Sequence, residues 1–255
     1  MDSKKYLDRI GFQGKPEADY ATLSELQYRH FLTVPYENLD ILNNIPLSLD
    51  ADDLYEKVVI NKRGGYCFEL NALFNILLIE IGFKTVSYFA RFLLDEPEIP
   101  MRRHQIMRVE IDGEYFIADV GVGSVTPERS LKLTENEETE IRGVLYKFTK
   151  DPFLGWVLQY KYIHGKKDWA PLYSFTEEPQ IEVDFIQPNF FCQYHDDSIF
   201  NKENMIALRT SASKLTLDAN LFKETDFTGK KLTEKHLTPT EIPEILSTRF
   251  GINLY

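Results

Sequence analysis

At Gly82 the apolar spacing of this chain changes period, and that change decides which layers it can build. Before it, Leu70, Leu73, Phe74, Leu77, Leu78 and Ile81 recur at three and four, the buried face of a helix that Gly82 ends. After it, residues 85–92 alternate with aromatic and β-branched side chains, as a half-buried strand does. Residues 104–121 read as a hairpin hinged at Asp112-Gly113, and 143–148, 156–162 and 169–175 continue the strand pattern. Together these runs predict an antiparallel sheet or barrel. Ahead of the long helix, residues 6–12, 20–32 and 52–60 predict three more helices, the second starting from a Thr22/Ser24 capping region and followed by a break at Pro35. Beyond residue 184 the pattern is mixed, with helices expected at 198–206 and 240–250 and strands at 205–210 and 213–217. The acidic run 134–140 reads as a solvated loop.

The long helix opens on Arg63-Gly64-Gly65-Tyr66-Cys67-Phe68-Glu69-Leu70-Asn71. Cys67 therefore falls in a first helical turn, where unpaired N–H groups and the helix dipole favour an anion. A thiol there is expected to have a lowered pKa and to serve as a nucleophile. Cys192 lacks this context and reads as a spectator thiol.

Two cysteines among 255 residues make neither a disulfide framework nor a metal cluster, and His164, His195 and His236 lack partners at metal-ligand spacing. No metal is expected. A net charge of −11 opposes binding to nucleic acid or to anionic membranes. No run approaches the ~18 apolar residues of a membrane span, and the start of the chain has no signal core, so a soluble cytoplasmic protein is expected.

The hairpin supplies two further groups. With a two-residue turn at Asp112-Gly113, Ile111 faces Glu114 and Asp119 falls opposite Ile106. His104 shares the face of Ile106 and is diagonal to Asp119, about 7–8 Å away along the backbone. An Asp beside a His orients the ring and favours imidazolium, which favours a nearby thiolate. A one-residue bulge would swap the faces and break the pair. Taken singly, each group has a structural reading: Cys67 shares a helix face with Leu70 and Phe74, His104 suits a hydrogen-bonded surface, and Asp119 suits a turn before Val120-Gly121-Val122-Gly123. Gly121-Val122-Gly123-Ser124 lacks the Lys-Ser/Thr of a nucleotide loop, although its N–H groups are candidates for holding an anion.

These residues resemble the arylamine N-acetyltransferase family. The resemblance runs through Tyr6-Leu7-Asp8-Arg9-Ile10-Gly11, Val34-Pro35-Tyr36-Glu37-Asn38-Leu39, the Cys67 motif, His104, Asp119-Val120-Gly121-Val122-Gly123, Trp169-Ala170-Pro171-Leu172-Tyr173 and Asp184-Phe185. It implies an α+β fold: an N-terminal helical bundle (1–83), a central antiparallel β-barrel-like domain (84–190) and a C-terminal α/β lid (191–255), with a cysteine-protease-like catalytic core. It also implies a catalytic triad of Cys67, His104 and Asp119. The implied reaction carries acetyl from acetyl-CoA, a co-substrate and not a bound cofactor, to arylamines or arylhydrazines. Candidate substrate-binding residues are Tyr36, Phe68, Val122, Gly123 and Ser124, with Phe191 as a further aromatic wall. The donor phosphates are expected near the backbone of Gly121 and Gly123. The family often has Phe where Val122 stands, which reshapes the expected acceptor pocket. Arg9, Glu37, Arg63 and Asn71 match positions expected to support the site by pairing beneath it. The same three catalytic groups also suit amide hydrolysis or transglutamination, the competing enzymatic reading, and an inert Cys67 in a binding module is the non-enzymatic one.

Overall fold

The computed structural model describes residues 1–123, 126–164 and 168–253. Helices come first: α1 (Ser3–Arg9), α2 (Tyr20–Thr33), α3 (Leu39–Leu42), α4 (Ala51–Tyr55) and α5 (Cys67–Ile81). Asp19, not the expected Thr22 or Ser24, caps α2 by accepting the Thr22 N–H at 2.7 Å. The helix expected over 52–60 is real but changes winding, since α4 runs on into a π-helical turn at Glu56–Ile60. α5 begins at Cys67 and ends where Gly82 turns left-handed at φ 110°.

Eight antiparallel strands follow: β1 (Lys84–Phe92), β2 (His104–Ile111), β3 (Glu114–Ala118), β4 (Leu131–Lys132), β5 (Thr139–Ile141), β6 (Val144–Asp151), β7 (Gly155–Tyr162) and β8 (Ala170–Phe175). They pair in the order β4-β3-β2-β1-β8-β7-β6-β5 and curl into a nearly closed barrel. The sheet buries both faces. Met107, Val109, Phe116 and Ala118 pack on the helices, while Ile106, Ile117, Phe148, Leu158 and Tyr173 share a second core. The acidic run 134–140 is largely exposed, but its end enters the short strand β5.

The C-terminal part departs most from expectation. No helix forms over 198–206; instead α6 (Ile186–Tyr194) follows a 3-10 turn at Glu182–Phe185. Pro188 obscures α6 in the sequence, yet it sits in the first turn, where a missing N–H costs nothing. The strands β9 (Met205–Arg209), β10 (Lys214–Asp218), β11 (Leu221–Thr225) and β12 (Lys231–His236) form a second antiparallel sheet, closed by α7 (Ile242–Phe250). β12 escaped the sequence reading because all six of its residues are exposed, so it carries no apolar alternation. Among the described residues no helix is long and apolar enough to cross a membrane.

Three interactions position the functional region. Tyr36 exchanges backbone hydrogen bonds with Ala207 of β9, each 2.9 Å, while the neighbouring Glu37 N–H reaches Gly65 O. Tyr66 O–H donates to Asn189 Oδ1 of α6. Beneath the start of α5, Arg63 pairs with Glu37 and Asp40 at 2.8 Å, and Lys57 pairs with Asp40 and Glu69 at 2.7 Å. Burial opposes ionisation of Asp40, but Lys57 and Arg63 together hold its carboxyl below the usual range. Of the expected supporting charges, Arg9 stands apart: it donates to the carbonyls of Val58 and Lys62 and makes no ion pair in the cluster.

Glu37 is 1 % exposed and depends on Arg63 for its salt bridge. Arg63→Met should therefore cost about 3–5 kcal/mol, the cost of leaving a buried charge unpaired, measured as a loss of unfolding free energy in urea.

Candidate active site

Cys67 is the first residue of α5, after an extended Tyr66. Glu69, two positions on, accepts the Tyr66 N–H at 3.0 Å, so the helix start is closed from within. The two glycines before it are there for room. A Cβ on Gly64 would overlap Pro35 O, and one on Gly65 would lie 2.9 Å from Glu69 Oε2.

The hairpin register is the one the two-residue turn predicts. Ile111 faces Glu114 and Met107 faces Ala118 without a bulge, and both Asp112 (φ 53°) and Gly113 (φ 79°) are left-handed, as this turn requires. β3 ends at Ala118, so Asp119 lies just past the paired strand. Its Oδ2 lies 2.8 Å from His104 Nε2, with both residues 3 % exposed or less. The other oxygen, Oδ1, accepts the Asn71 Nδ2–H and the Gly121 N–H, each at 2.9 Å. Asn71 also donates to Gln105 O and accepts the Val120 N–H, and Gln27 accepts the Asp119 N–H. Asn71 thus ties α5 to the end of the hairpin. Gln27 went unnoticed in the sequence because α2 is far from both motifs and an isolated Gln carries no signal.

A cavity of about 320 Å³ opens on the thiol. Cys67 and His104 both line it, and with Nε2 occupied by Asp119, His104 Nδ1 is the nitrogen left for the thiol side. The thiol itself lies 3.7 Å from Arg103 O, a contact suited to a weak S–H donor. Of the candidate substrate-binding residues, Tyr36, Val122 and Gly123 line the cavity. Phe68 does not. One residue around the helix from Cys67, it points away into the core, fully buried against Tyr66 and Phe185. Phe191 is also absent from the lining and stacks on His195 at 4.3 Å. Ser124 lies outside the described residues. The sequence did not disclose the remaining wall, which includes Phe92, Leu94, Phe200, Met205, Ala207 and Asp218, because its members come from separate strands and loops.

Two expectations need correcting. The Gly121 N–H is not free for an anion: it donates to Asp119 Oδ1, and a Cβ on Gly121 would lie 2.7 Å from Cys67 Cα, while one on Gly123 would overlap Ala207. Both glycines are small so that three chain segments can meet. Nor does the helix start by itself lower the Cys67 pKa. Burial pushes the thiol well above its ordinary range, with Cys192, Asp119 and Glu69 acting the same way, and the Phe68 N–H opposes them without prevailing. Losing the proton to solvent is therefore unfavourable, whereas handing it to His104 leaves an ion pair beside an Asp119 carboxylate. Cys192 is fully buried, is absent from the cavity lining, and its thiol is pushed up to about 12, in keeping with a spectator. Among the described residues no group of three or more His, Cys, Asp or Glu side chains suits a metal ion.

A buried thiol, an imidazole in the same cavity and a carboxylate behind the imidazole make up the equipment of acyl transfer through a cysteine. The sequence profile of the N-acetyltransferase family matches residues 19–255, and the chain belongs to that family. It is 30 % identical to an arylamine N-acetyltransferase of Mycolicibacterium smegmatis, covering 100 % of this chain and 93 % of that one. It is also 30 % identical to an Escherichia coli K12 arylamine N-acetyltransferase, over 98 % of this chain and 88 % of the other. Among solved structures, the Salmonella typhimurium arylamine N-acetyltransferase superposes with a TM-score of 0.91 at 28 % identity, covering 98 % and 90 % of the two chains. The Mycobacterium marinum arylamine N-acetyltransferase in complex with CoA superposes at 0.89 and 28 % identity, covering 99 % and 93 %.

If Asp119 supports the ion pair, Asp119→Asn should slow alkylation of Cys67 by iodoacetamide at neutral pH by about a hundredfold or more, read as modification rate by mass spectrometry. An unchanged rate would remove the carboxylate from the chemistry.

Proposed function

We propose that this chain transfers an acetyl group from acetyl-CoA, through a thioester on Cys67, to the nitrogen of arylamines or arylhydrazines, with Cys67, His104 and Asp119 as the catalytic triad. The observation that carries the reading is the shared cavity of Cys67 and His104, with Asp119 2.8 Å behind the ring. The thiol proton passes to His104 Nδ1 and Cys67 Sγ attacks the acetyl carbonyl of the donor thioester. The carbon–sulfur bond to CoA then breaks, and the leaving thiolate takes the proton from the imidazolium. In the second half the amine nitrogen attacks the Cys67 thioester, gives a proton to His104, and Cys67 leaves as thiolate. Asp119 stabilises the imidazolium in both halves. The Phe68 N–H, which already favours negative charge on the Cys67 sulfur, stands at the helix start where the oxyanion develops.

The mostly apolar cavity suits an aromatic acceptor, with Tyr36, Val122 and Gly123 as its walls. We divide the chain into a bundle over 1–83, a barrel over 84–190 and a lid over 191–255, and place the protein in the cytoplasm, where two free thiols persist.

Intact mass after mixing with acetyl-CoA should show one added acetyl group, discharged by an aniline. Cys67→Ala should show neither the adduct nor any transfer. Transfer retained in that variant, or amide cleavage without CoA, would overturn the reading.

A further inference from the structure

β10 presents its two faces to different surroundings. Leu215 and Leu217 are 2 % exposed or less and belong to the core between the second sheet and α7. Thr216 and Asp218, on the alternate face, line the cavity that holds Cys67 and His104. Their β9 partners Ala207 and Met205 line it as well. Asp218 thus brings a carboxylate to a wall whose other β9 and β10 contributors are apolar or hydroxyl-bearing.

The charges lining this cavity are few. Besides His104, the described lining includes Glu96, Arg103 and Asp218. Arg103 is tied to Glu96 at 3.0 Å, so this pair cancels within itself. Burial raises the Asp218 carboxyl above its usual range, while the Thr216 hydroxyl, which donates to it, and Lys223 of the neighbouring strand, which is not part of the lining, act the other way. Asp218 is the acid of the described lining that Arg103 does not pair.

We propose that Asp218 sets the charge class of the acceptor, favouring arylamines whose second substituent is cationic and disfavouring those that carry a carboxylate. This rests on the acetyl-transfer reading above. In a two-step exchange, kcat/KM for the acceptor reports only the encounter of acetyl-enzyme with amine, so any effect on the anionic donor drops out.

The test compares 4-aminobenzoate, 4-aminobenzamide and (4-aminobenzyl)trimethylammonium as acceptors, each referred to the amide within the same enzyme. Asp218→Asn should raise the relative kcat/KM of the carboxylate about fivefold and lower that of the cation about fivefold, the scale of one partly solvated charge pair. Asp218→Lys should reverse the order of the two charged acceptors. Equal changes for all three acceptors in both variants would overturn the role of Asp218 while leaving acetyl transfer in place. Failure of the unmodified enzyme to acetylate even the amide would overturn both.

Discussion

The site depends on one carboxylate. Asp119 divides its oxygens between two tasks: Oδ1 is held by Asn71 and Gly121, and Oδ2 faces His104. Because Asn71 stands on the helix that begins with Cys67, this arrangement locks that helix to the hairpin that bears His104. Neither element alone makes a site. A carboxylate with both oxygens satisfied is buried without an orphaned charge, and the imidazole it orients keeps its other nitrogen for the cavity.

The small residues follow from the same closeness. Gly64, Gly65 and Gly121 stand where Pro35, Glu69 and Cys67 approach too near for a side chain, and Gly123 stands against Ala207 of the second sheet. Helical bundle, barrel and second sheet therefore meet within a few residues of the thiol. Beneath them the chain Glu37, Arg63, Asp40, Lys57 and Glu69 alternates in sign, so the polar groups under α5 neutralise one another where little water reaches.

A buried thiol is a poor acid, and this one is made poorer by the carboxylates near it. In the proposed mechanism the proton stays inside: transfer to His104, which lines the same cavity, would leave an ion pair in place of a lone buried thiolate. The walls of the same cavity are mostly apolar, and Asp218 brings a carboxyl group to them from the second sheet.

The sequence alone determined the helix that starts at Cys67 and ends at Gly82, and the pairing of His104 with Asp119. Both rest on local rules: apolar period, helix stops, and a two-residue turn whose register follows from its geometry. It also carried the resemblance that names the acyl group. Tertiary structure decided the rest. α6 and β12 were hidden, the one by Pro188 in a tolerant position and the other by full exposure. Phe68 turned inward because neighbouring helix residues point in different directions, and the Gly121 N–H went to Asp119. The direction of the Cys67 pKa shift reversed because burial, a sum over every packed neighbour, outweighs the local field of a helix end. The cavity wall, Asp218 included, is assembled from segments distant in the chain, and no local pattern records which of them will meet.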